Sequence, residues 1–477
     1  MELLSLLCLM RYREQRSTSR GDDVYWIFEG TEDGKIKDKF LTVLNDVYLS
    51  YEGTEDCRIL HKLRTALTDV AGLNVVGGYR GGWEKEFIKR SRILMPILSA
   101  NYASSESCLE ELAQMWECRE LNGQNIIPIF FCITGSDVQY MAGDFGRAYS
   151  PQVDSETIKR WKEALREIGG LRGYTANLNK RYQARLAEEV SFSVARKLRD
   201  DGLVLTDELV AIDDHVQKMM RKLGVAYSEG QATEVHGEDV RVVGICGKSG
   251  VGKTTLAKVV FKKMHKLFEA YSFLEVGRLK KFRFLQQMLI ADLQKRERVP
   301  LKSIKEGTEK IARLFTHKKV LIVLDHVEED KQIEALAGKL TWFGPGSRII
   351  VTTSKKEVLS AFDVGADDPG TVEAHEVEPL SDDHALQLFR IRAFQGDAPE
   401  DGSEYDSLSR DFVKAIGGIP SDIVRLASYL RNNMDMHIWK STLESLQKHP
   451  EDMEAAYWSL MHGGEENFRF MRRFTEF

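Results

Sequence analysis

Val242-Val-Gly-Ile-Cys-Gly-Lys-Ser-Gly-Val-Gly-Lys-Thr-Thr255 decides the fold of the middle of this chain. The apolar run Val242 to Cys246 predicts a buried strand, and the apolar spacing from Leu256 to Met264 predicts a helix. Between them, Gly247 to Thr255 fits GxxxxGK[ST] at every required position. Glycines at 247, 250 and 252 let the backbone turn at positive φ, so that successive N–H groups converge on phosphate oxygens. The helix N-terminus adds its dipole. Lys253 is placed to reach the β- and γ-phosphates, Thr254 to set a hydroxyl on Mg2+, and Thr255 completes the phosphate-binding set. A nucleoside di- or triphosphate with magnesium is the expected ligand.

Working outward, 325 − 253 = 72 residues beyond the lysine, Val320-Leu-Ile-Val-Leu-Asp325 predicts a buried strand that ends in a carboxylate. Many core strands end in a turn aspartate, but paired with the phosphate loop this one is expected to hold the magnesium, usually through water. Further strands are expected at Arg241–Cys246 and Ser347–Thr353, and a wholly helical region from Asp382 onward, with Gly417-Gly418 and Pro420 as breakers. Towards the N-terminus, Asp46–Ser50, Leu73–Val76, Ile93–Leu98 and Ile126–Phe131 are short apolar runs. They alternate with helical patterns at Arg58–Val70, Trp83–Lys89, Leu109–Leu121 and Ile158–Ile168. That alternation predicts an α/β fold with a second, separate parallel sheet covered on both faces. The polar stretch Arg199-Asp-Asp201 marks a boundary, Leu209 to Leu223 predicts a helix, and Ser228–Asp239 a loop.

Length and composition agree with several soluble units. At 477 residues the chain exceeds one hydrophobic core, and 43% apolar with 29% charged residues is ordinary for globular protein. Net charge is 67 − 73 = −6, which gives no general attraction to nucleic acid or anionic membrane. The cysteines (Cys8, Cys57, Cys108, Cys118, Cys132, Cys246) form no CxxC pair, as expected of reduced thiols. His61, His215, His236 and His265 stand isolated in the sequence, without a second ligand at metal spacing. Lys159–Arg172 interleaves its charges with Trp161, Leu165 and Ile168, as a solvated helix face does. Met1–Met10 is apolar but lacks a basic leader and a cleavage site, and no stretch reaches transmembrane length. A cytoplasmic or nucleocytoplasmic location is the expectation. Asp23–Asp33 recurs as Asp46–Asp56 at an offset of 46 − 23 = 23, with eight of eleven positions identical. The second copy runs into the next element and is assigned to the sheet; the first is an edge strand, a loose extension or an artefact.

In order along Glu208–Leu446, the residues resemble the NB-ARC ATPase module of plant intracellular immune receptors. The blocks that carry this are Leu209–Val216, the phosphate loop, Phe268–Glu275, Asp325, Trp342–Thr353, Glu378–Phe389 and Gly417-Gly-Ile-Pro420. The resemblance implies an ADP/ATP switch, with Pro420 on the adenine side. Two departures stand out. A second acid usual after Asp325 is His326, and an arginine usual after Thr352-Thr353 is Ser354. Removing a water-positioning group and a cation implies nucleotide binding without efficient hydrolysis.

Over about Asn45–Leu198 the chain is similar to TIR domains, which have a flavodoxin-like sheet. Asp46–Tyr51, Ser91–Ser104, Ser107-Cys-Leu-Glu-Glu-Leu112, Ile126–Phe130, Ser136–Val138 and Arg160–Leu165 carry the likeness. Many plant TIR domains cleave NAD+ with the glutamate of W-C-L-x-E-L, which here is Glu111 rather than Glu110. A carboxylate suits an oxocarbenium-like transition state, and a first-turn acid is also common for dipole reasons alone. The motif's tryptophan is Ser107, an arginine beside the site is Glu52, and the loop at Gly77–Gly82 is short.

The expected domains are an extension at 1–44, a TIR domain at 45–198, a linker at 199–239 and a P-loop NTPase (NB-ARC) domain at 240–375. A helical subdomain at 376–450 and the opening of a winged-helix subdomain at 451–477 follow, without leucine-rich repeats. Two functions fit: an NAD+ hydrolase that acts on oligomerisation under a nucleotide switch, or an inactive adaptor or decoy that binds full-length receptors. Either way other TIR domains are the expected partners.

Overall fold

The computed structural model describes residues 45–52, 57–77, 84–146, 152–203, 209–277, 281–297, 299–363, 370–394 and 403–448. The first copy of the duplicated segment, residues 78–83 of the short loop, and 451–477 lie outside them.

Strands β1 (Asn45–Ser50), β2 (Val75–Gly77), β3 (Ser91–Leu98), β4 (Asn125–Ile126), β5 (Ile129–Phe131) and β6 (Tyr174–Ala176) form the first sheet. All pair in parallel in the order β2-β1-β3-β5-β6, with β4 beside β3. With β4 and β5 counted as one position, this is the flavodoxin-like 2-1-3-4-5 order. The expected strand at Ile126–Phe131 is split because Pro128 has no N–H to donate to a ladder. Helices α1 (Cys57–Thr65), α2 (Glu84–Arg90), α3 (Glu106–Asn122), α4 (Gly135–Gln139), α5 (Ser155–Gly169) and α6 (Lys180–Gly202) complete the unit. Apolar residues of α1 and α6 cover one face of the sheet, and those of α2, α3 and α5 the other. In α5 the apolar Trp161, Leu165 and Ile168 are buried, while Arg160 pairs with Glu110 and Glu117.

The boundary expected at Arg199–Asp201 falls inside α6, and Arg199 is only 10% exposed. A buried charge partner, Asp292, accounts for its polarity. The helix expected from Leu209 is shorter: α7 runs Asp213–Lys222. The loop expected at Ser228–Asp239 is largely a hairpin, β7 (Val225–Ser228) against β8 (Gln231–Val235). Glu229 and Gly230 have φ of 50° and 77°, the two positive values that a tight primed turn requires. A Glu-Gly turn lacks the usual Asn or Asp signal of such hairpins. Arg348 fastens this hairpin region to the next sheet. It is fully buried and donates to the carbonyls of Leu223, His236, Asp239 and Ser347. Burial pushes its pKa down to about 10.

The second sheet comprises β9 (Arg241–Cys246), β10 (Ala270–Glu275), β11 (Val320–Val327), β12 (Arg348–Thr353) and β13 (Thr371–Glu376). All are parallel, in the order β10-β11-β12-β9-β13. Helices α8 (Lys253–Met264), α9 (Phe282–Gln294), α10 (Ile304–Phe315) and α11 (Asp330–Ala337) pack on it. A helical bundle follows: α12 (Asp382–Phe394), α13 (Glu404–Ile416), α14 (Pro420–Arg431) and α15 (Met436–Lys448), around Phe389, Phe412 and Trp439. Among the described residues no helix is long and apolar enough to cross a membrane. Cys108, Cys118 and Cys246 are buried thiols, and Cys132 is an exposed one.

Candidate functional site

Strand order sets the phosphate-loop geometry. The loop leaves β9, and β12 separates β9 from β11, so the carboxyl ends of the three strands converge. Asp325 lies within β11 where the pairing with β12 shifts between Leu324 and Val327. The bulge continues into His326, whose φ of 57° is left-handed. Such an irregularity re-aims side chains at a strand end, and here it turns Asp325 into a closed hydrogen-bonded group. Thr254 Oγ1 donates to Asp325 Oδ1 at 2.9 Å and Thr352 Oγ1 donates to the same oxygen at 2.5 Å. Oδ2 lies 3.1 Å from His326 Nδ1. The His326 N–H donates to Thr352 Oγ1 at 2.9 Å. Burial alone would raise the Asp325 pKa; the hydrogen bonds from His326, Thr352 and Thr254 outweigh it and lower it. His326 shifts the other way, raised by its bond to Asp325.

The loop has the expected backbone. Gly247, Gly250 and Gly252 have φ of 150°, 79° and 102°. No side chain caps α8, which opens at Lys253. Lys253 Nζ curls over the loop and donates to the carbonyls of Gly247 (2.9 Å) and Lys248 (2.7 Å). Burial lowers its pKa, against the pull of Asp325. Thr255 lies half-buried in the same turn. Gly250 meets the helical bundle: the Ser421 N–H donates to the Gly250 carbonyl at 3.2 Å. A Cβ on Gly250 would lie 2.1 Å from Ser421 Oγ. Pro420 is the first residue of α14, immediately before this contact. Ser354 is exposed at the end of β12.

Glu111 lies in the second turn of α3, not in the first turn as expected, because the helix opens at Glu106, capped by Ser105 accepting from the Cys108 N–H. The two neighbouring acids separate. Glu110 turns towards α5, pairing with Arg160 at 3.4 Å and accepting from Trp161 Nε1 at 3.1 Å. Glu111 faces the end of β1. Its charge, second to burial, raises the Tyr48 pKa. It also adds to the burial that raises Tyr102 and Cys108. Tyr102 hydrogen-bonds Ser50 Oγ at 2.8 Å, and Cys108 Sγ donates to Glu52 Oε2 at 3.2 Å. Ser107 is exposed and sits 3.0 Å from Ser105 Oγ. Thus Glu111 and Glu52 share one neighbourhood with buried hydroxyls and a thiol.

The structure adds partners that sequence reasoning missed. Thr352 was visible only as half of a Thr-Thr pair, and Ser421 only as the residue after Pro420. Tyr48 and Tyr102 carried no spacing signal. His215 is not isolated: its Nδ1 lies 3.0 Å from Nε2 of His375, on a strand 375 − 215 = 160 residues away.

Comparison with known proteins fits this geometry. The NB-ARC domain model matches residues 216–399 and the TIR domain model matches residues 83–212. The chain carries a TIR domain and an NB-ARC domain. It is 33% identical over 371 residues to disease resistance protein RPV1 of Vitis rotundifolia, an alignment that spans 76% of this chain and 25% of that one. RUN1 of the same species is 34% identical over 375 residues, covering 76% and 26%. TMV resistance protein N of Nicotiana glutinosa is 31% identical over 374 residues, covering 76% and 31%. The chain therefore spans about a quarter to a third of the length of the curated relatives it matches. The NB-ARC domain is its nucleotide-binding domain, and the TIR domain precedes it.

Proposed function

We propose that this chain is a plant immune signalling protein of the cytoplasm, in which the NB-ARC domain holds ADP or ATP with Mg2+ as a switch for the TIR domain. The observation that carries the switch reading is the closed set around Asp325. Thr254 and Asp325 bring a hydroxyl and a carboxylate oxygen together at 2.9 Å, the hard oxygen donors that suit Mg2+. Bound there, the ion would neutralise phosphate charge. Lys253 and the loop N–H groups would hold the phosphates, with Pro420 at the adenine side. His326 and Ser354 stand where a second acid and an arginine would promote turnover, so the nucleotide is kept rather than rapidly hydrolysed. Denaturing purified full chain and identifying the released nucleotide tests this. One bound ADP or ATP per chain is expected, and a chain that purifies and remains empty with added nucleotide and Mg2+ overturns it.

For the TIR domain the proposed activity is NAD+ hydrolysis on self-association, with Glu111 facing the oxocarbenium-like centre. The glycosidic C–N bond breaks, its electron pair leaves with nicotinamide, and water adds to the ribose carbon with loss of a proton. A second reading, an adaptor TIR domain that pairs with full-length receptors without turnover, is favoured by Glu52. Its carboxylate sits on Cys108, in the neighbourhood of Glu111, where it repels an anionic substrate. Nicotinamide release from concentrated protein, with Glu111→Ala as control, separates the two. The division proposed is TIR 45–198, linker 199–239, P-loop domain 240–375 and helical subdomain 376–450, with α6 carrying the TIR unit into the linker.

A further inference from the structure

Helix α6 carries two stripes. Leu186, Ala187, Val190, Val194 and Leu198 enter the TIR core. Phe192, Ala195, Arg196 and Arg199 follow the i, i+3, i+4, i+7 spacing of one helical face and do not belong to that core. Phe192 and Ala195 instead join the apolar core of the NB-ARC sheet, together with Ala71 from the turn after α1. The Phe192 ring meets Phe284 of α9 edge-on, with centroids 5.7 Å apart and planes at 69°.

A charge cluster closes the seam. Arg199 Nη1 lies 2.6 Å from Asp292 Oδ2 and its Nη2 3.2 Å from Oδ1, with only 10% and 7% of the side chains exposed. Arg196 Nε approaches the same carboxylate at 3.8 Å, and its Nη1 donates to the Arg296 carbonyl at 3.2 Å. Asp292 Oδ2 also accepts from Ser272 Oγ at 2.6 Å. Ser272 lies on the edge strand β10, in register with Ile322 of β11, the strand that carries Asp325.

We propose that the α6–α9 seam is a built docking surface that latches the TIR domain onto the NB-ARC domain, with Arg199–Asp292 as its releasable catch. A purely apolar seam would close in many nearby arrangements. A buried ion pair gives little net stability against an apolar equivalent, but an unpaired buried charge is strongly unfavourable, so it selects one geometry and opens once that geometry is lost. Bidentate Arg–carboxylate pairing adds directional specificity. The catch shares its carboxylate with Ser272, so the TIR domain is held to the P-loop sheet through hydrogen bonds and not only through the chain connection. This rests on the two-domain division and not on catalysis by Glu111.

The test uses the full chain, read by small-angle scattering and by hydrogen exchange of α6 and α9. Arg199→Ala leaves Asp292 buried without its partner. The radius of gyration is expected to rise by roughly a tenth, and seam amides such as those of Phe192, Ala195 and Phe284 to exchange about tenfold faster. Nucleotide content stays unchanged, because the phosphate loop is untouched. Asp292→Asn keeps an acceptor for Ser272 while removing the charge, and should open the seam to a smaller extent. If Arg199→Ala fails to fold, Asp292→Asn decides. Wild-type size and exchange in every folded variant of the two would overturn the latch. Neither readout involves NAD+ or self-association, so an inactive TIR domain would leave the result standing.

Discussion

The two candidate sites sit at the carboxyl ends of parallel strands, yet they are built differently. Around Asp325, both carboxylate oxygens have partners: Thr254 from α8 and Thr352 from β12 on Oδ1, and the neighbouring His326 of the bulge on Oδ2. Around Glu111 the neighbours are buried hydroxyls and a thiol on β1, the turn after β3 and α3, and a second acid, Glu52, lies close by. The first arrangement is closed by complementary donors. The second concentrates acidic and weakly acidic groups, so its chemistry depends on what enters. A site of the first kind tolerates the loss of catalytic accessories and still binds, whereas a site of the second kind changes with each charge placed beside it.

The comparison breaks most directly at Lys253. If the closed site is a phosphate cradle, Lys253→Ala removes its central charged donor and should weaken nucleotide binding by about a thousandfold. Isothermal titration with ADP and Mg2+ checks this. Full nucleotide retention in the variant would show that the cradle serves some other purpose, while the TIR site should be indifferent to the change.

Gly250→Ala probes the backbone of the same cradle. At φ 79° a Cβ is strained, and here it would meet Ser421 Oγ at 2.1 Å and Ile419 Cγ2 at 3.1 Å. Strain and overpacking together should cost about 3 kcal/mol of stability, seen as a lower urea midpoint. Pairing it with Ser421→Gly should recover part of the loss. No recovery would mean that the dihedral alone sets the cost.

A smaller effect comes from the His215–His375 contact beside the P-loop strand, where His375 is in register with Ile245. Burial, then His215, Lys222 and Lys218, lower the His375 pKa to about 4, against the opposing pull of Asp214. His215 is lowered as well, chiefly by burial. A depressed histidine is neutral when folded and takes a proton when unfolded. Its contribution is therefore complete above the ordinary value of 6.5 and is lost as pH falls from there towards 4. Between pH 7.5 and 5 the wild type should lose about 2 kcal/mol more than His375→Asn, measured by urea unfolding at both pH values. Equal losses would mean that His375 is protonated in the fold.

The closed site was legible because its parts are spelled out locally: a glycine loop, a lysine and an apolar strand ending in acid. Its partners were not, because Thr352 reaches Asp325 only through the strand order, which places β12 between β9 and β11. A parallel sheet covered on both faces was legible from alternating apolar runs, and its flavodoxin-like order followed from the likeness to TIR domains. By contrast, Arg199 with Asp200 and Asp201 resembled a polar exit from a domain, since charged residues signal solvent unless their partner is known. Asp292 lies 292 − 199 = 93 residues further along, beyond the reach of any local pattern. The same limit hid His375 from His215. Long-range pairs between polar residues leave no periodicity, and these are the contacts that join the elements at both seam and site.

The finest test of the difference between the two sites is Glu52→Gln. Glu52 accepts from Cys108 Sγ at 3.2 Å, and both Glu52 and Glu111 act on that thiol in the same direction. Glutamine keeps the size and an acceptor but removes one negative charge from the neighbourhood of Glu111. For an anionic dinucleotide this should lower KM by about three- to tenfold, the effect of one partly screened charge, while kcat changes little because the amide does not replace Glu111. Nicotinamide release at several NAD+ concentrations reads both terms. A fall in kcat with unchanged KM would make Glu52 part of the chemistry rather than a charge beside it. Unchanged values of both would show that substrate charge is carried away from β1, and that the acidic character of this site does not govern entry.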